Sequence, residues 1–217
     1  MTDTQLRQNV IDELEFEPSV HSASIGVAVD DGVVTLSGHV RSYAEKLAAE
    51  RATRRVRGVR AIAQDIHVRY PEEKKTADDE IAKRALSIIK WDAMTPPDAI
   101  KVVVQHGWIT LSGEVDWQYQ RKAAEDAVRK LSGVTGVFNN ITLKRAVQVA
   151  DIKRKIEQAL TRRAKVEADA IRINVHDGNR VALEGIVESW DERDAVQDAA
   201  WSVAGVQSVD DRLTIVR

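Results

Sequence analysis

The sequence predicts an α+β protein built as three tandem αββαβ two-layer sandwiches, each with a three-stranded mixed sheet and two helices on one face. Three observations predict it. First, Gly32-Val-Val-Thr-Leu-Ser-Gly38 followed by Val40 returns as Gly107-Trp-Ile-Thr-Leu-Ser-Gly113 with Val115. It returns again, one residue longer, as Gly178-Asn-Arg-Val-Ala-Leu-Glu-Gly185 with Val187. Second, Gly58-Val59, Gly133-Val134 and Gly205-Val206 keep the same step as the motif glycines (113 − 38 = 75, then 185 − 113 = 72). Two landmarks that drift together mean duplication of a whole folding unit. Third, each unit switches from helical apolar spacing to strict alternation and back. The units are residues 1–70, 78–143 and 151–217, joined by linkers 71–77 and 144–150.

Each unit opens with a helix whose apolar stripe is Leu6, Val10, Ile11 and Leu14, then Ile81, Ala85, Leu86, Ile88 and Ile89, then Ile152, Ile156, Ala159 and Leu160. Asp3, Thr76 or Asp78, and Asp151 are the candidate N-caps, because a short side-chain oxygen takes up free backbone N–H groups. Pro18 and the pair Pro96-Pro97 end the helical reading in the first two units. A strand then alternates as Ile25, Val27, Val29, with counterparts Ile100, Val102, Val104 and Ile171, Ile173, Val175. Turns at Asp31-Gly32, His106-Gly107 and Asp177-Gly178 lead into a returning strand. The second helix is expected to bury Ala48, Ala52 and Val56, with counterparts Ala123, Ala127, Leu131 and Ala195, Ala199, Val203. Gly58, Gly133 and Gly205 are expected to cap it. A last apolar strand after this crossover lies parallel to a hairpin strand.

Composition narrows the function. With 32 basic and 34 acidic residues the net charge is −2, so nothing points to nucleic acid as a partner. The absence of cysteine excludes disulfides and thiolate chemistry. No apolar leader and no long uncharged apolar run can be read, which points to a cytoplasmic protein, or a periplasmic one if a leader was removed.

The glycines Gly32, Gly38, Gly58, Gly107, Gly113, Gly133, Gly178, Gly185 and Gly205 are too widely spaced for a phosphate cradle and read as backbone turns and strand exits. The histidines His21, His39, His67, His106 and His176 show no metal-ligand spacing, and no catalytic residue, metal or cofactor is assigned. The densest charge feature is Lys144, Arg145, Lys153, Arg154, Lys155, Arg162, Arg163 and Lys165, a basic amphipathic helix and its flanks. Such a helix is either a solvated core helix or an anionic-lipid surface. Arg51, Arg54, Arg55, Arg57 and Arg60 form a weaker cluster of the same kind. Tyr43, Trp117, Tyr119 and Trp190 fall between the second strand and second helix, and Trp201 is placed on the exposed side of that helix. These aromatics suit contacts between units or a membrane interface.

The pattern V-x-L-x-G-x-V followed by G-V in an αββαβ frame resembles the BON domain. Unit one carries it as Val34, Leu36, Gly38, Val40, Gly58 and Val59, unit two as Ile109, Leu111, Gly113, Val115, Gly133 and Val134, and unit three as Val181, Leu183, Gly185, Val187, Gly205 and Val206. The resemblance implies a stress-associated binding protein of osmotic or envelope physiology, without catalysis. It implies contact with anionic phospholipid headgroups, and as alternatives potassium-ion binding or a scaffold for another protein. The linker 71–77 is polar and proline-bearing, whereas 144–150 holds two valines. Units two and three are therefore expected to dock more firmly than units one and two.

Overall fold

A computed structural model describes residues 1–70, 77–96, 98–144, 151–162, 170–177 and 179–215. The first repeat runs α1 (Asp3–Phe16), β1 (Ile25–Asp30), β2 (Val33–Val40), α2 (Tyr43–Arg55) and β3 (Ala61–Val68). The second runs α3 (Asp78–Trp91), β4 (Ile100–Gln105), β5 (Trp108–Val115), α4 (Gln118–Val128) and β6 (Gly136–Leu143). The third runs α5 (Ile152–Thr161), β7 (Ile171–His176), β8 (Arg180–Val187), α6 (Trp190–Trp201) and β9 (Ser208–Ile215). Each repeat forms one three-stranded sheet with the middle strand second in sequence. β1 and β2 pair antiparallel, with Val27 opposite Leu36, and β2 and β3 pair parallel. The third repeat repeats this register with Ile173 opposite Leu183 and Gly185 beside Leu213.

The alternating valines and leucines put one face of each sheet under the helices. Leu6, Val10 and Leu14 of α1 meet Val34, Leu36 and Ile66 in the first core. Ile152, Ile156 and Leu160 meet Val181, Leu183 and Leu213 in the third. The second helices bury much of the expected stripe in the first and third repeats, at Ala48 and Ala52 and at Ala199 and Val203, together with the stripe one residue on, which in the second repeat replaces it. Ala49 and Thr53, Ala124 and Val128, and Val196 and Ala200 are buried, whereas Ala123, Ala127 and Ala195 are only partly so. Alanine periodicity is degenerate on an alanine-rich helix, so in α4 the larger Val128 sets the phase.

The expected caps are also corrected. Thr2, not Asp3, caps α1, its hydroxyl accepting from the Gln5 N–H while Gln5 Oε1 accepts from Thr2. Asp3 instead reaches the hairpin turn, accepting from the backbone N–H groups of Asp31 at 2.9 Å and Gly32 at 3.2 Å. Asp78 does the same to His106 at 2.7 Å and Gly107 at 2.9 Å. Asp151 takes a left-handed backbone and makes no side-chain cap; Thr76 lies outside the described residues. Gly58, Gly133 and Gly205 adopt positive φ in the turns after their helices, which have already ended at Arg55, Val128 and Trp201.

The first two repeats share one compact unit, Met1–Thr142, and the third forms a second, Leu143–Arg217. Within the first unit two tyrosines join its repeats. The Tyr70 hydroxyl donates to the Val134 carbonyl at 2.6 Å, and Tyr43 lies half-buried beside Glu125 and Arg129. Burial, and for Tyr43 also the Glu125 carboxylate, pushes both phenols above their ordinary range. A raised phenol pKa means the folded state favours the protonated form. This stabilisation is therefore complete below about pH 10 and is lost as the pH rises through the folded-state value. Thermal melts from about pH 9 to about pH 11 should show the Met1–Thr142 unit losing stability, less so in a Tyr43→Phe/Tyr70→Phe variant. At neutral pH Tyr70→Phe alone should cost about 1 kcal/mol.

Candidate functional site

In the α5 helix the apolar residues Ile152, Ile156 and Leu160 recur every four positions and are fully buried, which turns Lys153, Arg154, Lys155 and Arg162 outward. Two of these cations have acidic partners on the same segment: Arg154 meets Asp151 at 2.9 Å, and Lys153 lies 3.9 Å from Glu157. Lys155 and Arg162 have no ion-pair partner among the described residues. Lys144 is exposed, and its carbonyl accepts from the Gln207 side chain at 2.8 Å. Arg145, Arg163 and Lys165 lie outside the described residues. Beside α5, a groove of about 460 Å³ runs along β7, with Lys153, Glu157, Ile171, Arg172, Glu184 and Gly185 among its lining residues. Its charges are mixed, two cations and two carboxylates, with Glu184 also paired to Arg212 at 3.2 Å.

The second basic cluster is largely neutralised. Arg55 sits between Glu13 at 2.8 Å and Glu17 at 2.9 Å, Arg54 meets Glu50 at 2.6 Å, and Arg60 meets Asp31 at 3.1 Å. The Ser19 hydroxyl and then Arg55 hold the Glu17 carboxyl below its usual range. Only Arg51 and Arg57 of the five are left exposed and outside any ion pair among the described residues. The first helix of the second repeat presents Asp78, Asp79 and Glu80, with Lys83 and Arg84 paired back onto Asp79 and Glu80.

The five aromatics do not form one surface. Tyr43 lies between the first two repeats, as described above. Trp117 and Tyr119 stack on each other with ring centroids 6.4 Å apart, and both are exposed. The Arg193 guanidinium lies 5.2 Å from the Trp190 ring. Trp201 packs against the third core, contrary to the exposed position expected of it. Its counterparts Arg54 and Arg129 turn to acids instead, Arg54 to Glu50 and Arg129 to Asp126.

Several polar positions escaped the sequence reading, some with partners one helical turn back and others with partners distant in the chain. Glu45 accepts from the backbone N–H of His21 at 2.9 Å and Arg41 at 2.8 Å. Gln120 takes up Asp116 and Trp117, and the buried Glu192 takes up Glu188 at 2.6 Å. These groups hold the entry to each second helix, so their burial has a structural cause. On the next turns, Glu50 binds Gln64 at 3.3 Å, Glu125 binds Asn139 at 3.0 Å, and Gln197 binds Asp211. The carboxylate lies on the helix in the first two repeats and on the strand in the third. Recurrence at the repeat step was the signal available for both sets. Gly178 lies outside the described residues; Gly58, Gly133 and Gly205 form the later turns, and the other motif glycines sit in or beside the hairpin strands. Among the described residues no group of three or more His, Asp or Glu side chains is placed to hold a metal ion, and no helix is long and apolar enough to cross a membrane.

A family model described as the BON domain matches residues 2–70, 77–145 and 148–217. The osmotically-inducible protein Y of Escherichia coli strain K12 is 33% identical over 152 residues, covering 66% of this chain and 74% of that protein. Among solved structures, CdsD, a structural protein of the type III secretion system of Chlamydia trachomatis, aligns over 98% of this chain and 92% of that one. It does so at 12% identity and a TM-score of 0.28, too slight a likeness to bear on arrangement or function.

Proposed function

This chain belongs to the BON domain family, carrying the domain three times, and from that premise we propose that it is a binding protein that docks on anionic phospholipid surfaces through its third repeat. The observation that supports this reading is the division of α5. Its apolar stripe is spent on the core, while Lys153, Arg154, Lys155 and Arg162 face outward. Basic residues near an anionic surface contribute about 1 kcal/mol each, so a few exposed cations suffice for reversible attachment. The mixed-charge groove along β7 offers adjoining space for a headgroup, with Lys153 and Arg172 toward its phosphate. The acidic start of α3 makes the second repeat the poorer candidate for the same role. The role is one of binding and not of turnover. A stress-linked setting is proposed with it, since the Escherichia coli relative is named for osmotic induction.

Vesicle flotation tests this reading. The chain should float with vesicles containing anionic phospholipid, stay behind with neutral ones, and release as salt rises. Reversing Lys153, Arg154 and Lys155 to glutamate should weaken attachment roughly 100-fold or more, because three favourable terms become unfavourable. All three side chains are exposed, so folding should be unaffected, which a circular dichroism melt checks. Undiminished flotation of the folded triple variant, or equal binding to neutral vesicles, would refute the assignment.

A further inference from the structure

An open strand edge invites another strand, and proteins normally block it. Four of the six sheet edges here carry such a block. On β3 the Lys46 ammonium donates to the Ile66 carbonyl at 2.8 Å. On β6 Arg121 donates to the Asn139 carbonyl at 3.2 Å, and Asn139 Oδ1 accepts from the Ile141 N–H at 3.2 Å. On β9 Asp211 Oδ1 accepts from the Leu213 N–H at 2.9 Å. On β1 Arg7 donates to the Val27 carbonyl at 2.8 Å. The β7 edge is guarded by charge, with Arg172 on the strand and Lys153 in the adjoining groove.

The β4 edge has no such cap, and of the two charges at β7 it keeps one, Lys101 in the place of Arg172, with Ala82 in the place of Lys153. Ala82 stands where Arg7 stands in the first repeat, and Val102 where Val27 stands. Gln105 and Trp108 flank the two-residue turn, so the peptide groups of residues 101, 103 and 105 bond inward to β5, and those of Ile100, Val102 and Val104 point outward. Among the described residues no side chain caps these outward groups. The strand reads Ile100-Lys-Val-Val-Val-Gln105, against Ile25-Gly-Val-Ala-Val-Asp30 and Ile171-Arg-Ile-Asn-Val-His176. It has the highest β propensity of the three. Val103 is 61% exposed, and the same outer face carries Trp108 stacked on Phe138 at 4.7 Å.

We propose that the β4 edge is a self-association surface, on which a second copy of this chain adds its own β4 antiparallel about a two-fold axis at Val103. That axis sets Val102 opposite Val104, so outward peptide groups meet outward peptide groups. It sets Lys101 opposite Gln105, with no like charges, and brings the two exposed Val103 side chains together as a cross-strand apolar pair. The same operation on β7 opposes Arg172 to His176, and on β1 it needs the carbonyl that Arg7 occupies. The strand is thus complementary to itself in hydrogen bonding, charge and apolar contact, which is the requirement of a closed two-fold interface.

The chain has no cysteine, so single-cysteine variants report this register directly. Val103→Cys in the full chain should give a covalent dimer under mild oxidation. Ala28→Cys, at the equivalent place beside the capped edge of β1, should not. In sedimentation experiments across the micromolar range the unmodified chain should dimerise reversibly. Ala82→Arg, which transplants the cap of the first repeat without touching β4, should weaken that association about tenfold or more. A chain monomeric throughout that range, or Val103→Cys cross-linking no better than Ala28→Cys, would overturn the proposal. So would a dimer indifferent to Ala82→Arg in a folded variant. Capture of a foreign extended peptide by an otherwise monomeric chain would also overturn it, showing a strand-accepting edge with a different occupant.

Discussion

Gly113→Ala should unfold the second repeat. Gly113 has φ of +136°, a region closed to side chains, and sits in the middle of β5 where the strand passes under the segment leading into β4. A Cβ there would press into the Ala99 carbonyl oxygen, which is backbone and cannot swing aside. Conformational strain and the clash together should cost about 3 to 5 kcal/mol, a large share of the stability of so small a domain. A circular dichroism melt should show the transition of the Met1–Thr142 unit shifted far down or split, while the third repeat melts unchanged. Gly58→Ala is the control. Its φ is also positive, at +97°, but an added Cβ meets only the side chains of Leu6 and Met1 at 3.7 Å. That change should cost about 1 kcal/mol. Equal effects of the two substitutions would mean that the close approach at Gly113 is not what demands glycine.

Asp78→Ala should destabilise the same unit by about 2 to 3 kcal/mol, because its carboxylate accepts two backbone N–H groups from the turn between β4 and β5. The loss would free the start of α3 from the hairpin it pins. Asp79→Ala, one residue on, should leave the melting temperature unchanged, since Asp79 only pairs with Lys83 in full solvent. Amide exchange at His106 and Gly107 reports the clamp directly: both amides should exchange faster in Asp78→Ala and not in Asp79→Ala. Protection retained in Asp78→Ala would show that the turn holds itself.

The sequence disclosed most of this fold because the physics behind it is local. Alternation of Val34 and Leu36, or Ile109 and Leu111, sets which sheet face is buried without reference to anything distant. The helices of the first strand-preceding stripe, Leu6 to Leu14 and Ile152 to Leu160, are legible for the same reason. Of the second helices only α4 was misphased, because alanines occupy both candidate stripes and the sheet beneath decides between them. Asp3 and Asp78 were read as caps because an aspartate at a helix start has a ready local explanation. Their true partners lie 28 and 29 residues away. The candidate site divides similarly. Outward cations on α5 follow from its own periodicity, whereas the neutralisation of Arg55 needs Glu13 and Glu17 on another helix. The caps from Arg7, Lys46 and Arg121 come from helices 18 to 20 residues away, so no short window of sequence reveals that β4 lacks one.

The migration of the carboxylate from Glu50 and Glu125 on the helix to Asp211 on the strand bears on how three near-copies avoid being mistaken for one another while they fold. Were β9 to insert into the second repeat, Asp211 would meet Glu125, two like charges at hydrogen-bonding range. The correct lodger there, Asn139, brings amide to acid. Neighbouring copies of one fold are prone to trading pieces, and a single inverted donor–acceptor couple marks the final strand as belonging to its own house.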